Sequence, residues 1–152
     1  MNLENIKIKN ILLADDDVDD CMLFEDALKQ LAMPTHLTRS KDGLELMNIL
    51  EKITEVPPPY IIFLDLNMPR KNGFECLQEI RKKPILKGIP IVIFSTSLND
   101  DLVEKTYDQG ANYYICKPRS FELLVKAIKK ALTIDMWYAP QPTKEEFILA
   151  FA

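Results

Sequence analysis

Tyr60-Ile61-Ile62-Phe63-Leu64-Asp65-Leu66 runs apolar on both alternating faces and then presents a single carboxylate. A strand that buries both faces belongs inside a parallel sheet with helices on either side. The runs 10–14 and 90–95 read the same way, and weaker ones at 37–39 and 113–116 complete a set of five. Helical periodicity fills the intervals. Over 17–33 it is carried by Val18, Cys21, Phe24, Leu28 and Leu31, with Asp17 as N-cap and Asp19 and Asp20 as capping or surface charges near the positive end of the dipole. Over 42–53 the stripe is Leu44, Met47 and Leu50, and over 74–82 it is Leu77 and Ile80. Helix 100–109 carries Leu102, Val103, Thr106 and Tyr107 before Gly110 as a stop, and helix 120–132 carries Phe121, Leu124, Ala127, Ile128 and Ala131. Strict strand–helix alternation predicts a doubly wound α/β fold with right-handed crossovers. Pro57-Pro58-Pro59 is a stiff lead-in to the third strand, not a linker.

At 152 residues, one domain is expected. The content of 47% hydrophobic and 28% charged residues is that of a soluble globular protein. A net charge of -4 argues against nucleic acid as partner, since such binding needs clustered cations. No apolar run approaches the ~20 residues of a membrane helix, and the start of the chain has no signal-peptide core, so no membrane role and a cytoplasmic location are expected. Cys21, Cys76 and Cys116 are odd in number and form no CxxC, which excludes a disulfide framework and a zinc site and leaves them as small buried hydrophobes. His36 is the sole histidine and cannot build a metal cluster.

Residues 133–152 form an extension too short for a domain. Trp137, Tyr138, Phe147, Ile148, Leu149 and Phe151 carry too much apolar surface to stay solvated, so the extension is expected to pack on its own domain or on a second subunit of a homodimer. Thr143 and Glu146 have the spacing of a capping box before a short helix.

In open α/β sheets ligands bind beyond the carboxyl ends of the strands. There the chain places Asp15, Asp16 and Asp17 after the first strand and Asp65 with Asn67 at the third. Ser95 ends the fourth, and Lys117-Pro118 follows the fifth. Crowded carboxylates require either a proton or a cation among them. Oxygen-only donors select a hard ion, and Mg²⁺ is content with one or two carboxylates, waters and a substrate phosphate. Asp15, Asp16 and Asp65 meet that need, and a register one residue later would make the acidic pair Asp16 and Asp17. The length of the first strand favours Asp15 and Asp16. A carboxylate nucleophile beside Mg²⁺ and Lys117 can attack a phosphoryl donor, with Ser95 donating to the transferred group.

The stretches ILLADDD (11–17), IIFLDLNMPRKNGFE (61–75), IVIFSTS (91–97) and GANYYICKP (110–118) together resemble the receiver domain of two-component response regulators, over roughly 8–132. The resemblance implies a (βα)5 flavodoxin-like three-layer sandwich whose parallel five-stranded sheet has the order 2-1-3-4-5, with 1–132 as the receiver and 133–152 as the extension. It implies Asp65 as phosphoacceptor, Asp16 as direct Mg²⁺ ligand, Asp15 acting mainly through water, and Asn67 offering its backbone carbonyl. Ser95 matches the switch hydroxyl, Lys117 the family lysine, and Tyr114 the aromatic that swings inward when that hydroxyl engages the phosphoryl group. Gly73 matches the glycine that lets the loop after Asp65 turn, and Pro118 a cis-proline. It also implies a histidine kinase or phosphotransfer protein as donor, and a downstream protein target met through the fourth helix, fifth strand and fifth helix. Only slow autophosphorylation and autodephosphorylation would be catalysed, with no DNA-binding or enzymatic output domain. Thr96 departs from the small residue that often follows the switch hydroxyl, a bulk that would restrict access.

Two other classes use similar parts. An aspartyl-nucleophile phosphatase needs a second Asp as general acid where Asn67 stands, and Asn67 cannot supply that proton. A flavodoxin-like electron carrier needs free backbone N–H groups after the first strand, where Asp15, Asp16 and Asp17 would repel its phosphate.

Overall fold

The three runs that are apolar on both faces become the centre of a sheet. In the computed structural model, which describes residues 8–55, 58–136 and 139–149, these are β1 (Lys9–Ala14), β3 (Tyr60–Leu64) and β4 (Ile91–Ser95). β2 (Thr35–Ser40) and β5 (Tyr113–Cys116) flank them, all pairs are parallel, and the order is β2-β1-β3-β4-β5, as expected. Alternation along the strands divides the core. Ile11, Leu13, Phe63, Val92, Phe94 and Ile115 face α1 (Val18–Leu31) and α5 (Phe121–Thr133). Leu12, Ala14, Ile62, Leu64, Ile91, Ile93 and Tyr114 face α2 (Gly43–Glu51) and α3 (Gly73–Lys82), with α4 (Asp100–Asp108) on the same side. Phe24 of α1 meets Phe63 and Phe94 edge-on, at centroid distances of 5.0 and 5.7 Å, which orients the first layer.

Each of these five helices starts on a capped residue just beyond a strand end. Asp17, Asp42, Asn72, Asn99 and Ser120 accept from the backbone N–H three residues on, and Asn72 with Glu75 closes a full capping box. The caps satisfy orphan donors and fix where each helix leaves the sheet's carboxyl edge. α1 stops two residues earlier than its apolar spacing suggests, because Ala32 takes a left-handed conformation. Leu46 rather than Leu44 completes the buried stripe of α2, since the N-cap at Asp42 rotates Leu44 outward, where it is 46% exposed.

Residues 139–149 lie against α4 and β5. Gln141 donates to the carbonyls of Tyr107 and Ala111, and the Tyr107 hydroxyl donates to the Pro142 carbonyl at 2.7 Å. A single-turn helix, α6 (Lys144–Phe147), drives Phe147 into full burial beside Tyr107 and Tyr114. Ile148 then bridges parallel to Tyr114, and the Leu149 N–H donates to the Tyr114 carbonyl at 3.0 Å. The expected Thr143–Glu146 capping box is not formed. The Thr143 side chain makes no capping bond, and the turn closes through the Glu146 N–H to the Thr143 carbonyl instead. Trp137, Tyr138, Phe151 and Pro57 lie outside the described residues.

Candidate functional site

The parallel register places the acidic residues. Ala14 pairs with Leu64, and the Asp65 N–H donates to the Ala14 carbonyl, so Asp15 and Asp65 emerge side by side from adjacent strands. One carboxylate oxygen each from Asp15, Asp16 and Asp65 lies within 4.8 Å of the others. Asp15 and Asp65 are buried, whereas Asp16 is exposed at the mouth. Asp17 is turned away to cap α1, and its N–H donates to Asp15 Oδ1 at 2.9 Å, so the carboxylates gathered beside Asp65 are those of Asp15 and Asp16.

Lys117 enters from the end of β5, its N–H bonded to the Ser95 carbonyl. Its Nζ donates to Asp15 Oδ2 at 2.7 Å, Asp20 Oδ2 at 2.8 Å and Asp65 Oδ2 at 3.4 Å. The Phe94 ring lies beneath the ammonium, 5.5 Å from its centroid. Burial alone would lower the lysine's pKa. The hydrogen bonds to Asp15 and Asp20 and the charge of Asp65 outweigh it and hold Lys117 above the usual range. Asp65 is pushed up to about 6, first by burial and then by the neighbouring Asp15 charge, against the pull of Lys117 and the Asn67 N–H. Its bonds are long, 3.4 Å to Lys117 and 3.3 Å from Asn67, so it is the least committed of the carboxylates around Lys117.

Ser95 is fully buried at the end of β4, with its Oγ accepting from the Ser97 N–H at 3.2 Å. Tyr114 lies inward and fully buried, its hydroxyl donating to the Ser97 carbonyl. Burial pushes its phenol up, partly offset by a hydrogen bond with Ser95. Thr96 is exposed and Pro118 half-buried.

Three expectations change. Gly73 has no unusual φ, because the left-handed residue of this loop is Arg70 at 66°. Glycine is needed at 73 for closeness: an added Cβ would stand 2.1 Å from the Asp65 carbonyl oxygen, and the Gly73 N–H donates to the Leu66 carbonyl. Cys116 is half-exposed, unlike the buried Cys21 and Cys76, because its side chain leaves the sheet toward the Thr96 carbonyl. Asp20 is no mere surface charge, since it pairs with Lys117. The capping Asp17, three residues before it, fixes the rotation of α1, and that was the available signal.

A family profile described as the response regulator receiver domain matches residues 11–129. The chain belongs to the response regulator receiver family. It is 38% identical over 132 residues to the response regulator Rcp1 of Synechocystis sp., covering 85% of this chain and 90% of that protein. The Mn²⁺-bound form of Rcp1 superposes with a TM-score of 0.74 at 36% identity, over 89% of this chain and 99% of the other. The phosphorylated cyanobacterial phytochrome response regulator RcpA gives a TM-score of 0.76 at 35% identity, over 90% and 100% of the two chains. Receivers are phospho-signalling switches that act through kinases or phosphotransfer proteins and downstream targets, rather than ordinary enzymes. They bind a divalent metal at an acidic cluster, and this chain has such a cluster. Among the described residues no helix is long and apolar enough to cross a membrane.

Proposed function

We propose that this receiver accepts a phosphoryl group on Asp65 from a histidine kinase or phosphotransfer protein and relays the signal by protein–protein contact in the cytoplasm. The supporting observation is the arrangement at the sheet's carboxyl edge: three carboxylates gathered within 4.8 Å, one of them Asp65, with a buried ammonium 3.4 Å from it. The donor set is all oxygen, which suits Mg²⁺. Asp15, Asp16, Asp65 and the Asn67 carbonyl would hold the ion, which supplies charge neutralisation on the phosphoryl oxygens. An Asp65 oxygen forms the new O–P bond as the donor's bond to phosphorus breaks, its electron pair leaving with the donor. Lys117 and the Ser95 hydroxyl hydrogen-bond the equatorial oxygens. Ser95 turns from its present partner to do so, and Tyr114, whose hydroxyl donates to the Ser97 carbonyl, carries that change into β5. Gly73 and Pro118 shape the loops on either side.

The output surface is α4, β5 and α5, and residues 139–149 lie across its α4–β5 part. We divide the chain at 132, with 133–152 as an extension of the receiver. A downstream target therefore meets the extension as well as the helices.

Purified protein with acetyl phosphate and Mg²⁺ is expected to take up phosphate in the wild type and not in Asp65→Asn, as read by intact mass. Equal uptake by both would remove Asp65 from its role.

A further inference from the structure

We propose that Asp20 is a positioning residue that holds the Lys117 ammonium toward α1 and so leaves Asp65 free for the metal and the phosphoryl group. The proposal rests on the phosphoacceptor assignment and adds a residue to it. An ammonium has three protons to donate. Here all three point at carboxylates, but unequally: Asp15 and Asp20 stand at 2.7 and 2.8 Å, and Asp65 at 3.4 Å. The site is buried on the Lys117, Asp15 and Asp65 side chains, which are 9%, 1% and 9% exposed. The Asp20 side chain is 33% exposed, but the ammonium it holds is buried and little screened by solvent, so where that ammonium sits decides which oxygens remain available.

Asp15 and Asp65 belong to the oxygen cluster that fits a cation, and Asp20 stands outside it. Among the described residues, Asp20 is therefore the one close carboxylate on Lys117 that metal binding does not claim. Its own position is fixed from below, because its N–H donates to the capping Asp17 at 3.0 Å. On the far side the Phe94 ring limits the ammonium's travel. Without the Asp20 charge, Lys117 moves fully onto Asp15 and Asp65 and competes with the cation for the same oxygens.

A double-mutant cycle on the full chain separates this from a general charge effect. Mg²⁺ affinity is measured by titration calorimetry at low ionic strength for wild type, Asp20→Asn, Lys117→Gln and the double variant. Asp19→Asn removes the same charge from an exposed neighbour one residue away and is the control. Asp20→Asn is expected to weaken Mg²⁺ binding roughly fivefold, and Asp19→Asn by less than about twofold. In the Lys117→Gln background the effect of Asp20→Asn falls to that of Asp19→Asn, and Asp20→Glu stays near wild type. An equal effect of Asp20→Asn with and without Lys117 overturns the proposal, as does an effect no larger than the control's. Thermal unfolding of each variant confirms that folded protein is compared. Acetyl phosphate labelling of the wild type runs alongside. If the wild type neither binds Mg²⁺ nor labels at Asp65, the parent assignment falls. If it does both and the cycle shows no coupling, only the role of Asp20 falls.

Discussion

α4 and α5 flank the same edge of the sheet and are held to it in opposite ways. α5 buries Leu124, Ala127, Ile128, Ala131 and Leu132, a continuous stripe of its own, whereas α4 buries only Thr106. Thr106 even turns its hydroxyl back onto the carbonyls of Leu102 and Val103. Leu102, Val103 and Tyr107 of α4 are only partly buried against the core, and their cover is completed from outside the helix by Phe147, packed edge-on against Tyr107 at 5.1 Å and against Tyr114 at 6.2 Å. One helix is fastened by its own buried stripe, and the other by half-buried side chains together with a residue about forty positions downstream. A helix with few buried contacts opens at low free-energy cost, as switching elements must.

The contrast can be broken most forcefully on the well-fastened side. Phe24→Ala removes the ring at the centre of the Phe24–Phe63–Phe94 contacts and is expected to cost about 3–5 kcal/mol of global stability in urea unfolding. Phe147→Ala deletes an equally buried ring, yet the expected loss is smaller, about 2–3 kcal/mol, because the segment can detach before the domain unfolds. Hydrogen exchange locates the difference. Amides of α4 and β5 should lose protection in Phe147→Ala while those of α1 and α5 keep theirs, and uniform loss would contradict the contrast.

The smallest effect lies at the seam between the two covers, where Lys117 leaves β5. Asp65 is raised to about 6 in the fold, above its unfolded value of 3.8. The folded protein thus holds this proton more tightly, and its contribution is present at low pH and lost as pH rises through about 6. Metal-free Asp65→Asn is therefore expected to exceed the wild type by roughly 1–2 kcal/mol at pH 7, with the gap closing toward pH 4. Millimolar Mg²⁺ should narrow it again by binding the wild type more tightly than the variant, which lacks one of the gathered carboxylates. Chemical denaturation at two pH values checks both.

Much of this was legible in the sequence for definite reasons. Strands apolar on both faces can sit only between two helical layers, and each such strand ended in a residue with chemistry: Ala14 before Asp15, Leu64 before Asp65, and Ser95 itself. The parallel register did the rest, bringing Asp15 and Asp65 abreast. Asp20 was legible only through the N-cap Asp17, which sets the rotation of α1, because its partner lies 97 positions away. The reason for Gly73 was hidden for a similar cause: closeness to the Asp65 carbonyl is a property of two folded segments, not of a local turn. The apolar content of the extension signalled that Phe147 would be covered, but four residues of α6 show no period, so its place beside Tyr114 could not be read.

The bridge from Ile148 to Tyr114 has a consequence for how this molecule behaves in a crowd. Open sheet margins are templates on which other chains can polymerise. At the β5 margin, the Tyr114 carbonyl is already taken by the Leu149 N–H, and Phe147 and Leu149 sink into the two layers on either side. At the other margin, β2 shows exposed His36 and Arg39, polar groups that discourage stacking. Trimming the chain before residue 139 would therefore bare a sticky border, and aggregation on storage should rise before any loss of the fold is seen.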